Sequence, residues 1–142
     1  MSSPHSFNPT ILREYDIRGV IDDTLFEADA RAIGQAFATM ARARGAKKIA
    51  VGYDGRLSSP IMADAVVAGL LAGGVDAVRI GMSPTPMLYF SCYHLDDVDG
   101  GIQITGSHNP PDYNGFKMMA GPKPFYGEDI QGLGTIAAAA DY

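Results

Sequence analysis

A single cysteine, Cys92, stands in the 142 residues, so the chain closes no disulfide on itself, and no cysteine and histidine spacing of the zinc-binding kind accompanies it. This usage fits a reducing cytoplasm. No apolar stretch approaches the roughly 20 residues of a membrane-spanning helix. The start, Met1-Ser2-Ser3-Pro4-His5, lacks the basic segment and apolar run of an export signal. Positive charge is also scarce: 11 Lys and Arg stand against 16 Asp and Glu, for a net charge of -5. Nothing here resembles the basic footprint that neutralises nucleic-acid phosphates. Neither nucleic acid nor a membrane is an expected partner.

What is present suits one folded unit. Hydrophobic residues make up 46% of the chain and charged residues 19%, far from a disordered composition, and the length suits one domain with one core. Residues 1 to 10, rich in Ser, Pro and Asn, read as a flexible leader, with order starting near Ile11. The domain then occupies residues 11 to 142.

Hydrophobic periodicity gives the element order. Ala30, Ile33, Ala36, Phe37, Met40 and Ala41 mark an amphipathic helix over 27 to 44, stopped by Gly45. Ile49 to Tyr53 reads as a buried strand. A second helix covers 60 to 72, with Ser59 as its N-cap and Pro60 at its first position. A strand over 75 to 80, a helix over 86 to 95 and a strand over 101 to 105 follow. This βαβαβ order predicts an α/β fold: a three-layer αβα domain with a mostly parallel, mixed sheet and functional loops at the strand C-termini. Asn114 to Met119 reads as a further strand, where a shift to antiparallel is expected, and a last helix covers 128 to 140. The Ala-rich segment before Asp141-Tyr142 ends abruptly, as if the chain were cut from something longer.

Reactive residue types concentrate in Thr105-Gly106-Ser107-His108-Asn109-Pro110-Pro111-Asp112-Tyr113-Asn114-Gly115-Phe116-Lys117, on the loop after a predicted strand. Gly106 removes bulk beside Ser107, and Pro110-Pro111 stiffens the loop. A serine hydroxyl needs a base, a metal or oriented donors to act as a nucleophile, and His108, Lys117 and local amides are the available helpers. Spacing does not choose between them. Asp54-Gly55-Arg56 reads as a turn held by the Asp side chain and an ion pair. Ser83-Pro84-Thr85-Pro86 reads as a strand-to-helix entry, with Thr85 at the margin of a site. His5 and His94 lack catalytic company, and Cys92 reads as packed.

Four stretches in order resemble the phosphohexomutase family: the serine loop with its Asn114-Gly115-Phe116-Lys117 extension, Arg13-Glu14-Tyr15-Asp16-Ile17-Arg18-Gly19, Val51-Gly52-Tyr53-Asp54-Gly55-Arg56-Leu57-Ser58, and Gly81-Met82-Ser83-Pro84-Thr85-Pro86. The form of the first two is most similar to bacterial phosphomannomutase/phosphoglucomutase. The resemblance implies the first, catalytic-serine domain of an enzyme of four domains. In that reading Ser107 is a phosphoserine exchanging its phosphoryl group with a hexose phosphate substrate through a hexose 1,6-bisphosphate intermediate.

Phosphoryl transfer needs alignment and charge neutralisation, so Mg²⁺ bound through Ser107 is implied. Lys117 and Arg18 become candidates for stabilising charge or managing the hydroxyl proton, and His108 for positioning the loop or assisting proton transfer. Tyr15 and Asn109 are candidate substrate contacts, against a packed ring and a turn-capping amide. The family's aspartate-rich metal loop, sugar-reading loop and phosphate-gripping domain have no counterpart here, so little mutase activity is expected of this chain alone. Two alternatives remain: a non-enzymatic module binding a phosphosugar or partner, and an α/β hydrolase. The second lacks its Gly-x-Ser-x-Gly signature, because Thr105 and Asn109 occupy the flanking positions.

Overall fold

The computed structural model describes residues 3 to 142. Its elements run β1 (Ile17–Val20), α1 (Glu27–Ala43), β2 (Lys48–Tyr53), α2 (Ser59–Ala72), β3 (Asp76–Met82), α3 (Thr85–His94), β4 (Gly100–Ile104), β5 (Tyr113–Ala120), β6 (Lys123–Phe125) and α4 (Glu128–Ala139). The sheet has the order β1-β5-β4-β2-β3, with β6 also on β5. Strands β4, β2 and β3 are parallel, whereas β5 lies antiparallel to β4, β1 and β6. This is the mixed sheet expected, with the change of direction at β5.

Alternation along the strands divides the side chains between two faces. Ile49 and Val51 of β2, Ile102 and Ile104 of β4, and Phe116 and Met118 of β5 turn to one face and join the core made by α1, α2 and α4. The α1 and α2 backbones approach closely because Gly34 and Gly69 sit at their crossing: a Cβ at Gly34 would collide with the Val66 carbonyl, and one at Gly69 with that of Arg31. On the opposite face α3 covers β4, where Gly101 leaves room for Leu88 and Cys92. Burial pushes the Cys92 thiol up to about 11, as expected of a packed cysteine.

Three sequence readings need correction. Ordered contacts begin before Ile11: the His5 amide donates to the Ala137 carbonyl at 2.9 Å, its Nε2 meets Asp29 Oδ1 at 2.7 Å, and Phe7 packs on the core. Met1 and Ser2 of the same stretch lie outside the described residues. Ser59 is the first helical residue of α2 and not its cap; Ser58 holds that position without a side-chain capping bond. Strands β1 and β6 are additional to the predicted set. Among the described residues no helix is long and apolar enough to cross a membrane.

Candidate functional site

The parallel strands β2 and β4 end side by side, so the turn after Tyr53 meets the loop after Ile104. The Asp54 amide donates to the Ile104 carbonyl at 2.9 Å. From there the loop is built on Asp54. One carboxylate oxygen accepts the Ser59 hydroxyl at 2.6 Å and the Arg56 amide at 3.1 Å, and the other accepts the Gly106 amide and Arg56 Nε, each at 3.1 Å. Asn114, fully buried, ties β5 into the same cluster by donating to Ser58 and Ser59 at 2.8 and 3.0 Å. Ser59 is thus occupied with the site's frame, which explains why it does not cap its helix.

Ser107 sits at the tip of this frame. Its φ of 54° lies in the left-handed region, a conformation that costs a non-glycine residue roughly 1 to 3 kcal/mol and persists only where its surroundings enforce it. Its amide donates to Thr105 Oγ1 at 2.8 Å, while its exposed hydroxyl lies 3.3 Å from His108 Nδ1. Ser107 lines an open cleft of about 310 Å³ with Asp54, Gly55, Arg56, Asn109 and Pro111.

Of the other sequence candidates, Arg18 and Asn109 join Ser107 and His108, whereas Lys117 and Tyr15 sit in another cleft. Arg18, on β1 opposite Gly115, is 5% exposed, far from a solvated surface cation. It donates to Asp16 at 2.6 Å and to the Asn109 side chain at 3.2 Å, and its Nε finds no partner among the described residues. Asn109 therefore locks the serine loop to β1. Lys117 pairs with Gln103 of β4 and lines a cleft of about 450 Å³ with Tyr15, Tyr89 and Tyr126. Tyr15 is 76% exposed, with its ring 6.3 Å from that of Tyr126, so it is not a packed ring. Asp54 and Arg56, assigned to a turn by sequence, are the scaffold of the whole loop; their motif was visible, but their partners were not.

Burial raises the pKa of Asp54, but hydrogen bonds from Ser59, the Arg56 amide, Thr105 and the Gly106 amide outweigh it and hold the carboxyl below its ordinary 3.8. A carboxylate depressed in the folded state stabilises that state fully above its unfolded value and loses the contribution as pH falls through its folded value. The melting-temperature advantage of the parent over Asp54→Asn is therefore expected to hold at pH 6 and to shrink as pH falls below about 4, measured by thermal denaturation between pH 6 and 3. An advantage that grows on acidification would contradict this.

Among the described residues no three His, Cys, Asp or Glu converge as a metal site. Both Asp54 oxygens are already committed to donors, and among the described residues no other carboxylate lines the cleft with Ser107, whereas a hard cation takes about six oxygen ligands. These residues do not by themselves fit Mg²⁺.

Residues 9–141 match the model of phosphoglucomutase/phosphomannomutase, alpha/beta/alpha domain I. The chain belongs to this family. It is 46% identical over 132 residues to a phosphoglucomutase of Neisseria gonorrhoeae, covering 92% of this chain and 28% of the relative. It is 45% identical over 124 residues to a phosphomannomutase/phosphoglucomutase of Pseudomonas aeruginosa, covering 87% and 27%. A crystal structure of a family member from Burkholderia thailandensis superposes with a TM-score of 0.92 at 45% identity, over 96% of this chain and 31% of the other. The chain thus spans under a third of the length of these family members, and its αβα fold is that of their first domain.

Proposed function

We propose that this chain is the phosphoserine domain of a cytoplasmic phosphomannomutase/phosphoglucomutase that interconverts hexose 1-phosphate and hexose 6-phosphate. The observation carrying this reading is Ser107 itself: an exposed hydroxyl on a residue fixed at φ 54°, at the tip of a loop tied to β1, β2 and β5, in a chain of this family. Rigid presentation of one hydroxyl suits a reaction whose rate rests on alignment.

In the forward step the Oγ–P bond of phosphoserine 107 breaks and an O–P bond forms to the free hydroxyl of the hexose phosphate, giving the 1,6-bisphosphate. The sugar hydroxyl loses a proton and the departing Ser107 Oγ gains one, with His108, beside Ser107, and Lys117 as the candidate carriers. The bisphosphate then turns over and returns its other phosphoryl group to Ser107 Oγ, whose hydroxyl proton passes to the sugar oxygen released. Arg18, paired with Asp16, serves chiefly by holding Asn109 and the loop. Tyr15 and Lys117 would meet the sugar in their shared cleft. Mg²⁺, which would neutralise phosphoryl charge, would touch this chain through the phosphoserine and needs ligands from outside these 142 residues; no step here depends on it.

Intact-mass measurement tests the reading: after incubation with hexose 1,6-bisphosphate the protein is expected to gain one phosphoryl group, mapped by peptide digestion to Ser107, while the 142-residue chain alone shows little or no mutase turnover. If no phosphoryl group reaches Ser107 even in a protein extended to the full length of the relatives, the reading is rejected.

A further inference from the structure

Arg56 lines the Ser107 cleft, where a guanidinium would ordinarily be read as a phosphate ligand. Its hydrogen bonds say otherwise. A guanidinium carries five N–H donors, and here each has an acceptor. Nε donates to Asp54 Oδ2 at 3.1 Å. One terminal nitrogen donates to the carbonyls of Pro110 at 2.5 Å and Tyr113 at 3.1 Å, and the other to those of Ser107 at 3.1 Å and Asn109 at 2.7 Å. Four of the five acceptors are main-chain oxygens of the serine loop. The side chain is 13% exposed and neutralised by Asp54, so it has no free donor for an incoming anion.

The plane of the guanidinium lies directly against Gly106, where a Cβ would collide with the Arg56 Cζ and Nε. The loop is therefore wrapped around this one group. Its own internal bonds are few: the Ser107 amide to Thr105 Oγ1 at 2.8 Å, the Asn109 amide to the Gly106 carbonyl at 3.0 Å and the Tyr113 amide to the Pro110 carbonyl at 3.0 Å. Of these only the first touches Ser107, through its amide, and the Ser107 carbonyl is left to Arg56. Bonds from a charged donor are about twice as strong as neutral ones, and a planar fork fixes direction as well as distance.

We propose that Arg56 is the positioning residue of the serine loop, its guanidinium gathering the carbonyls of Ser107, Asn109, Pro110 and Tyr113 so that Ser107 keeps its left-handed backbone and presents Oγ to the cleft. It acts through Ser107 and touches no substrate. The part of this inference that concerns phosphoryl transfer rests on the function proposed above; the part that concerns the loop does not. Lysine is not an equivalent, because its ammonium has three donors and no plane to lie against Gly106.

The test is hydrogen exchange read by NMR on the parent, Arg56→Ala, Arg56→Lys and Gly106→Ala, the last displacing the guanidinium while leaving Arg56 in the chain. Asn109 and Tyr113 amides are expected to exchange roughly 30-fold faster or more in all three variants. Val51 and Ile102 amides in the sheet should stay at parental rates. Added guanidinium ion should restore protection to Arg56→Ala and not to Arg56→Lys. Phosphoryl uptake at Ser107 from hexose 1,6-bisphosphate should slow about 10²-fold with the loop and recover with the same additive. Unchanged Asn109 and Tyr113 protection in the variants would overturn the proposal, as would a loosened loop with parental uptake. A parent that takes no phosphoryl group even when extended to the full length of the relatives refutes the mutase reading alone, and the exchange rates still decide the loop.

Discussion

Ser107→Ala is expected to lower phosphoryl uptake from hexose 1,6-bisphosphate by roughly 10⁴-fold or more, while melting within about 2 °C of the parent. The two halves of this result have separate causes. Chemically, the substitution removes one oxygen, and neither of the hydroxyls bonded directly to the loop's frame at Asp54 and Ser107 can replace it: Ser59 is fully buried and donates to Asp54, and Thr105 is 4% exposed and occupied by the Ser107 amide. Structurally, among the described residues the lost hydroxyl has only His108 Nδ1 as a polar partner, at 3.3 Å. The left-handed backbone is held through the Ser107 carbonyl and amide, which alanine keeps. Intact mass and thermal denaturation on the same samples read both quantities. Parental uptake by Ser107→Ala would move the phosphoryl acceptor elsewhere; loss of uptake accompanied by a large fall in melting temperature would mean that the hydroxyl supports the fold.

Elements defined by their own periodicity were legible to within a residue or two, because the core face of α1 and the apolar runs of β2 and β4 are local signals. The two missed strands have none. β1 is four residues, with Gly19 and the buried charge of Arg18 in its middle, and it becomes a strand by pairing with β5, almost a hundred positions on. β6 contains Pro124, which cannot donate to a ladder and is tolerated at a sheet edge. The first ten residues misled in the opposite direction. Their composition is that of a loose segment, yet His5 finds an acceptor on α4 and a carboxylate on α1, neither of which a reading of adjacent residues reveals.

At the site the reactive loop was visible as a motif, whereas its architecture was not. Every acceptor that Arg56 finds in the loop lies 51 to 57 positions away, so its turn motif looked self-contained. Lys117 shows the converse. Ten positions separate it from Ser107, but β5 runs back antiparallel to β4 and sets Lys117 opposite Gln103, two positions before Thr105. Proximity in sequence thus overstated its link to the hydroxyl, and the aromatic cleft it shares with Tyr15 and Tyr126 emerges only when β1 and β6 are both placed on β5.

The crossing of α1 and α2 offers a test in which two effects of opposite sign compete. Gly69 lies inside a helix, where replacement by alanine should raise stability by about 1 kcal/mol through propensity alone. Here, however, the new Cβ would collide with the Arg31 carbonyl and lie 2.8 Å from the Gln35 amide nitrogen, both main-chain atoms of α1 that no rotamer change can clear. Forcing the helices apart also opens the contacts of Phe37, Val66 and Leu70, all fully buried, and overpacking of this kind costs roughly 1 to 3 kcal/mol, occasionally more. Packing should win: Gly69→Ala is expected to melt about 5 °C below the parent, and Gly69→Val lower still, measured by circular dichroism. A Gly69→Ala protein that melts at or above the parent would show that the crossing yields at little cost. The displacement bears on function as well, because α2 begins at Ser59, whose hydroxyl holds both Asp54 and Asn114. A helix pushed outward at Gly69 pulls on the frame beneath Ser107, so a folded Gly69→Ala protein should also lose protection at the Gly106 amide, which Asp54 accepts.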